Sequence, residues 1–499
     1  MKKPLIAAIG LAAFAQLAVP QLAHAETLRT PHWVEFSGKE SLDPISPTRF
    51  YSANQLIYSR LVRQGSKGEP VSDLASEWQA NPAADEWTFT LRDGVSFHNG
   101  KALNTDDVIY SFTRLLDPER DAPARAALSV IEDVSVNEAG QIVFRLSQSH
   151  ADLPILLMDY RAKIVPVGFD DDTSLQGIGT GPFKLVEFDP QGTTTFEAFA
   201  DYWEGAPKLD SMDLIGIPDD NARTQALLAG QIDWSGWNGV NAQQLRLFSS
   251  NPAYHYDSIA TGDWRGMVFR ADDEVFQDVR VRRALRLVAD REEMVNLLFG
   301  KGGATITCDN PVWNGDQYKL AQQCPQDLDT ARSLLSDAGY ADGLEIDVYT
   351  SGVDNYFRPM TELYQRQAAE AGITVNVHNV PAADYWNTAW MKKPAFTAAW
   401  GQRPTDQVLN EIFQSEANWN ESAYKNPEFD ALLAKARATL DDEARTELYH
   451  QAQALLTETG ATLIPFHLNN NRVMKREVHI PAVEHFAIRW HQVDKQGES

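Results

Sequence analysis

Residues 87–118, WTFTLRDGVSFHNGKALNTDDVIYSFTRLLDP, hold a strand, a turn and a capped helix in one short stretch. Trp87, Phe89 and Leu91 alternate with Thr88 and Thr90, the period-two pattern of a half-buried strand. Asn104 or Thr105 can cap the helix that follows, which carries Val108, Ile109, Phe112 and Leu115 and ends near Asp117-Pro118. The same alternation continues downstream. Asp278 precedes a helix with Val281, Ala284, Leu285 and Val288 at helical spacing. Asp329 opens another, with Leu334, Leu335 and Ala338 inward and Gly339 at the C-terminal stop. Asn426-Pro427 reads as a cap with Pro at the first helical position, leading Phe429, Leu432, Leu433 and Ala436. Leu344 to Thr350, Thr374 to Val380, Thr397 to Ala399 and Thr462 to His467 read as strands. Interleaved strands and helices predict an α/β fold built in layers.

The length of 499 residues corresponds to about three domain-sized units at roughly 150 residues each. With 43% hydrophobic and 23% charged residues, the chain has the composition of soluble globular proteins, not of a disordered chain or a bundle of membrane spans. Lys and Arg number 44 against 69 Asp and Glu, a formal charge of −25. So acidic a surface repels phosphate backbones, which argues against nucleic-acid binding.

The N-terminus predicts the compartment. Met1-Lys2-Lys3 is a short basic start, Leu5 to Leu22 is almost uninterruptedly apolar, and Ala23-His24-Ala25 supplies small residues at −3 and −1 of a cleavage site. This reads as a secretory signal peptide over residues 1–25, removed after Ala25. The competing reading, an uncleaved anchor helix, is opposed by Pro20 and by the small-x-small site. No Cys follows the cleavage site, so no lipid anchor is expected and the mature chain should be periplasmic and soluble. No other apolar run approaches the ~20 residues that cross a bilayer. The two cysteines, Cys308 and Cys324, lie close together in a Gly/Asn/Pro-containing loop. In an oxidising compartment they are expected to pair, stabilising by roughly 3 kcal/mol, the other reading being two free thiols.

Catalytic and cofactor motifs are absent. There is no Gly-rich phosphate loop, no Gly-x-Ser-x-Gly elbow and no His-Glu-x-x-His. The closest His grouping is His479, His485 and His491, and the acid pairs Asp106-Asp107 and Asp219-Asp220 sit where helices start, as caps. No enzyme, metal site or cofactor is expected. The unusual feature is 13 Trp, many beside turn residues: Trp237-Asn238-Gly239, Gly262-Asp263-Trp264, Trp400-Gly401-Gln402-Arg403 and Asn418-Trp419-Asn420. Flat rings beside amide and charged groups suit a cleft that holds a polar small solute, and equally suit a large core.

Ordered motifs along the mature chain resemble a known family. Pro70-Val71-Ser72-Asp73-Leu74-Ala75-Ser76-Glu77-Trp78 is followed by a strand and by Leu91-Arg92-Asp93-Gly94-Val95-Ser96-Phe97-His98-Asn99-Gly100. Thr105-Asp106-Asp107-Val108 with Ser111-Phe112 continues that block. Gly179-Thr180-Gly181-Pro182-Phe183-Lys184-Leu185 reads as a tight turn into a strand. Asp201-Tyr202-Trp203, the stretch Ala226 to Asp233, and Phe276 to Leu285 with Asp290-Arg291 come in order after it. Together they resemble the extracytoplasmic solute-binding proteins of ABC importers, in the large peptide- and nickel-binding family, family 5. Arg280, Arg282 and Arg291 with Asp278 and Asp290 are expected to form a structural ion-pair cluster.

The resemblance implies a two-lobe periplasmic-binding-protein fold of type II, with an extra subdomain inserted in lobe one. Lobe one would comprise residues 26–61, 179–269 and a C-terminal return over 475–499, the insertion 62–178, and lobe two 270–474. A solute would be trapped between the lobes by hinge closure and delivered to an ABC permease by a monomer. Peptide-binding members carry an acid three residues after a Trp of the second lobe. Here Trp400 is followed at that spacing by Arg403, which would grip an anionic ligand group or pair with Asp406 or another protein acid. The candidate ligand residues are Tyr51, Trp237, Asn238, Trp264, Arg265, Asp354, Asn355, Trp400, Arg403, Trp419 and Asn420. The expected solute is a peptide, or a peptide-like or opine-like amino-acid derivative. An oligosaccharide or a nickel chelate is the alternative within the class, and a secreted hydrolase or a chemoreceptor-coupled sensor the alternative outside it.

Overall fold

The computed structural model describes residues 26–32, 39–65, 68–237, 239–300, 302–481 and 488–495. The expected signal peptide, Asn238 and His485 lie outside these residues.

Residues 87–118 fold as their pattern demands. Glu86–Leu91 is a strand with Trp87 and Phe89 turned into the core. It lies in a four-stranded antiparallel sheet, ordered Ala75–Ala80, Glu86–Leu91, Ile142–Leu146, Ile131–Val136. Helix Thr105–Leu116 starts in a capping box: the Asn104 side chain accepts from the Asp107 N–H at 3.3 Å and Asp107 accepts from the Asn104 N–H at 3.1 Å. Such a cap contributes about 1 kcal/mol. Val108, Phe112 and Leu115 then bury against this sheet, with Phe112 edge-on to Phe144 at 4.9 Å.

A second four-stranded sheet runs Thr27–His32, Ser211–Gly216, Thr193–Ala198, Phe183–Glu187, its first pair parallel and the others antiparallel. Phe50, Leu56, Phe183, Trp234, Trp237 and Trp490 fill the core beside it. The Gly179-Thr180-Gly181 turn is forced by close approach. A Cβ on Gly179 would stand 2.0 Å from the Ile57 carbonyl oxygen, and one on Gly181 2.3 Å from that of Leu56. Only glycine lets this turn lie on the end of helix Tyr51–Ile57.

Lobe two is built on a six-stranded sheet: Ala304–Ile306, Thr462–Lys475, Tyr254–Phe269, Ala395–Trp400, Leu344–Ser351, Ile373–Val380. Its last two strands are parallel and joined by helix Phe357–Ala369, whose Met360, Tyr364 and Ala368 pack on the sheet. The two long strands connect the lobes. They pair from Tyr254↔Lys475 to Ala260↔Asn469, lose register between Ala260 and Trp264, and resume at Trp264↔His467 inside the lobe-two sheet. Bridges Trp234↔Met474 and Val240↔Asn471 tie their other end to lobe one. The irregularity thus falls where the ladder passes from one body to the other.

Cys308 and Cys324 are joined, with Cα atoms 5.4 Å apart. No helix among the described residues is long and apolar enough to cross a membrane. Two local expectations are corrected. Asp327, not Asp329, caps helix Leu328–Asp337, accepting from the Thr330 N–H at 2.9 Å. The arginines also do not form one ion-pair cluster. Arg280 pairs with Asp278, but Arg282 donates to the carbonyls of Phe276, Gln277 and Thr459, Arg291 pairs with Asp309, and Asp290 caps helix Arg291–Leu298. Buried guanidiniums here meet carbonyls left open at the end of helix Asp442–Thr459.

Candidate functional site

Between the two bodies lies a cavity of about 390 Å³. Lobe one and its inserted sheet contribute Arg60, Gln64 and the turn Met158-Asp159-Tyr160-Arg161 that follows helix Leu153–Leu156. Lobe two contributes Trp313 and Asp316 from the disulfide-closed loop, and Gly401 to Pro404 from the exit of strand Ala395–Trp400. Asp263 lines the cavity from the register break of the crossing strands.

The lining is charged in both senses. Arg161 holds Asp159 through two bonds of 2.8 and 2.5 Å and lies over the Tyr160 ring at 5.1 Å. Tyr160 in turn meets Tyr51 edge-on at 5.1 Å and accepts a hydrogen bond from Arg49. Across the cleft, Asp263 accepts from the Gln402 N–H at 2.7 Å while Gln402 accepts from the Gly262 N–H at 2.8 Å. This reciprocal pair stitches the register break of the crossing strand to the loop after strand Ala395–Trp400. Trp313 donates its indole N–H to the Ala260 carbonyl at 3.2 Å, at the same register break. Burial pushes the Asp316 carboxyl up to about 6, against bonds from the Tyr318 N–H and from Thr405.

Arg403 lines the cavity and stands over the Trp400 ring at 4.9 Å. Its Nε donates to Glu411 at 2.9 Å, so its acid partner is Glu411 and not Asp406. Asp406 is taken by Arg437 at 2.8 Å and by His150 at 3.4 Å. Behind Trp400, the buried Glu421 accepts the indole N–H groups of Trp400 at 3.0 Å and Trp390 at 2.7 Å. Burial pushes the Glu421 carboxyl up to about 7, against the pull of those two donors.

Beside the cleft the inserted unit and lobe two meet in a buried polar seam. Asp152 accepts from Tyr318 at 3.0 Å and Tyr449 at 2.9 Å and pairs with Arg445 at 3.2 Å. The Tyr449 hydroxyl also lies 3.1 Å from Asp406. The Ala151 N–H donates to the Arg437 carbonyl at 2.6 Å, so backbone as well as side chains join across the seam.

Of the candidate ligand residues, Arg403 lines the cavity, while Tyr51 and Trp400 stand directly behind lining side chains. Trp237 and Trp264 are 1% and 0% exposed; Trp237 packs on Trp234 and Trp490, and Trp264 sits within the crossing strand. Arg265 and Asp354 pair with each other at 2.7 Å, away from the lining. Asn355 is exposed in a turn, and Asn420 spends its amide on the carbonyls of Gln414, Ser415 and Tyr424. Trp419 is 47% exposed and meets Trp390 and Trp400. The lining residues that sequence reasoning missed are chiefly Arg60, Tyr160, Arg161, Trp313 and Asp316. Trp313 carried the signal used elsewhere, a Trp beside a turn, in Trp313-Asn314-Gly315. Among the described residues, no group of three or more His, Cys, Asp and Glu could hold a metal ion.

Comparison with known proteins accords with this architecture. The model of bacterial extracellular solute-binding proteins, family 5, matches residues 69–421, more than half of the chain. Heme-binding protein A of Haemophilus influenzae is 28% identical over 456 residues, covering 83% of this chain and 82% of that protein. Di/tripeptide-binding protein 1 of Pseudomonas aeruginosa is 25% identical over 473 residues, covering 87% of each. The solved structure of HbpA2 from Haemophilus parasuis superposes with a TM-score of 0.81 at 22% identity, covering 94% of this chain and 100% of that one. The chain belongs to family 5 of the bacterial extracellular solute-binding proteins, which serve ABC importers as binding subunits and not as enzymes.

Proposed function

We propose that this protein captures a small solute bearing both an amine and an acid group, a peptide or a peptide-like or opine-like amino-acid derivative, and delivers it to an ABC permease by closing its lobes. The observation that carries this reading is the pairing of opposite charges around one cavity of about 390 Å³. Arg60, Arg161 and Arg403 face it together with Asp159, Asp263 and Asp316. A zwitterion meets complementary groups in such a lining, and exclusion of water on closure strengthens each contact. The name of the Pseudomonas aeruginosa relative, a di/tripeptide-binding protein, points the same way. In this reading residues 26–61, 179–269 and 475–499 act as lobe one, 62–178 as its insertion and 270–474 as lobe two, with strand Tyr254–Phe269 running on from lobe one into the lobe-two sheet. The mature protein works in the periplasm as a monomer after loss of residues 1–25.

Arg403 takes the acid group in this scheme, with Trp400 stacked behind it. Tyr51, Trp237 and Trp264 support the wall. The register break between Ala260 and Trp264 serves as the hinge. An oligosaccharide is the second reading, favoured by the Tyr160 and Trp313 rings in the same lining. A thermal-shift screen of the mature protein over dipeptides, tripeptides, amino-acid conjugates and oligosaccharides tests both. Solutes with amine and acid groups should raise the melting temperature, as any ligand of the native state does. Stabilisation by sugars alone would replace the first reading with the second, and turnover of a bound solute would overturn both.

A further inference from the structure

Behind the lobe-one wall of the cleft lies a small recess of about 60 Å³. Arg60 and Gln64 line it and the main cavity together, so the two are neighbours across one residue layer. Arg60 and Lys163 face each other on adjacent extended segments, joined as an antiparallel bridge. Both residues are buried, at 9% and 5% exposure.

Their partners do not match their charge. The Arg60 side chain donates one bond, from Nη1 to the Met158 carbonyl at 2.5 Å, and among the described residues its buried Nε has no hydrogen-bond partner. Lys163 donates to the Tyr58 carbonyl at 2.8 Å and reaches the Gln55 side chain at 3.4 Å. The acids of the recess are engaged elsewhere. Glu204 is held by Arg63 through bonds of 2.6 and 2.5 Å, and Asp73 accepts the Arg60 backbone N–H at 3.0 Å. Arg489 adds a further cation, its buried Nη1 without a hydrogen-bond partner among the described residues. Four cations and two acids line the recess, and burial, with Arg60 beside it, pushes the Lys163 ammonium well below its usual range, a cost that an anion between the two side chains would offset.

We propose that this recess is an oxyanion subsite: one carboxylate, phosphate or sulfate group docks between Arg60 and Lys163. A volume of about 60 Å³ accommodates a group of that size, given that one water needs about 10–15 Å³ by the same measure. The guanidinium offers Nε and Nη2 side by side, the geometry that suits two oxygens at once, and the ammonium supplies a point charge. The oxyanion is either a second acid group of the transported solute, distinct from the one at Arg403 and reached past Arg60, or a separate ion resident in lobe one. Only the first source rests on the functional reading given above.

The test uses the mature full-length protein, with inorganic phosphate and sulfate as probes and sodium chloride holding ionic strength constant. Both probes should raise the melting temperature and bind saturably by calorimetry. Arg60→Gln and Lys163→Gln should each weaken binding at least tenfold, while Arg280→Gln, at an exposed arginine outside both cavities, leaves it within twofold. Lys163→Met should melt no lower than wild type in plain buffer while losing the phosphate response, which a purely structural lysine would not do. Crystals soaked in selenate should give an anomalous peak between Arg60 and Lys163, a readout independent of any variant. No stabilisation beyond the chloride control, a response unchanged in the Arg60 and Lys163 variants, or selenate located elsewhere would each overturn the subsite. Repeating the titration with a saturating solute from the screen separates the sources. Competition assigns the recess to the solute's second acid group, and simultaneous binding assigns it to a free ion. If the screen yields no solute while phosphate binds as described, the functional reading fails and the subsite stands.

Discussion

The seam between the inserted unit and lobe two and the recess in lobe one are both buried and both charged, yet they are opposite in kind. In the seam, Asp152 and Asp406 meet His150, Arg437 and Arg445, with Tyr318 and Tyr449 filling the remaining positions. In the recess, Arg60 and Lys163 lean on backbone carbonyls and a side-chain amide, and among the described residues neither side chain bonds a carboxylate. The same residue types thus make structure where their charges close on each other and make an opening for a ligand where a surplus is left. Burial alone does not tell the two apart; the count of partners does.

That contrast breaks first at Asp406. Asp406→Ala leaves Arg437 and His150 without their carboxylate and should lower unfolding stability by about 3 kcal/mol in urea titrations. Burial works against its charge, but the bonds from His150 and Arg437 hold the Asp406 carboxyl well below the usual range. Its stabilisation is therefore present above pH ~4, the unfolded value, and is lost as pH falls below it. The acid limb of the stability profile should be shallower in Asp406→Ala. A loss under 1 kcal/mol with an unchanged acid limb would show that the seam is not a closed unit.

Next comes the disulfide-closed loop that brings Trp313 and Asp316 to the cleft. Cys308→Ser with Cys324→Ser should cost roughly 3 kcal/mol by the chain-entropy estimate. It should also weaken solute binding, because Trp313 and Asp316 ride on that loop. Unchanged affinity in the reduced protein would move solute recognition away from the loop.

The smaller effects sharpen the picture. Arg403→Gln removes an ion pair with Glu411 whose side chains are 27% and 30% exposed, so stability should fall by under ~1 kcal/mol. Solute affinity should nevertheless drop about tenfold, the worth of one charge-assisted bond. Affinity for an amine-bearing solute should also decline as pH falls through about 6, where Asp316 takes up a proton. A flat calorimetric profile between pH 5 and 8 would exclude Asp316 from amine recognition. Last, Trp390 and Trp400 fluorescence should shift with a midpoint near 7 as Glu421 ionises, and Glu421→Gln should abolish that shift.

Much of the fold was legible because its signals are local. The caps at Asn104, Asp278 and Asn426 sit one residue before the helices they open. The strands around Leu344, Ile373 and Ala395 declare themselves by alternation or by short apolar runs. Asp329 misled because two acids stand two residues apart and either satisfies the cap rule; only geometry selects Asp327. The site was far less legible. Its lining comes from positions near 60, 160, 263, 313 and 403, which nothing but the fold brings together. Trp237 and Trp264 attracted attention by their turn neighbours, and the structure spends both rings on packing. Arg60, in Tyr58-Ser59-Arg60-Leu61, looks like any surface arginine until the antiparallel bridge to Lys163 encloses it.

The order of strands in lobe two has a further consequence for the growing chain. Thr462–Lys475 lies inside that sheet, between Ala304–Ile306 and Tyr254–Phe269, and Val478 and Trp490 enter the core of lobe one. Neither body can finish until nearly the whole polypeptide has been synthesised. Any nascent chain ending short of residue 462 therefore leaves the edges of Ala304–Ile306 and Tyr254–Phe269 unpaired where that strand would lie, the kind of edge that invites mispairing.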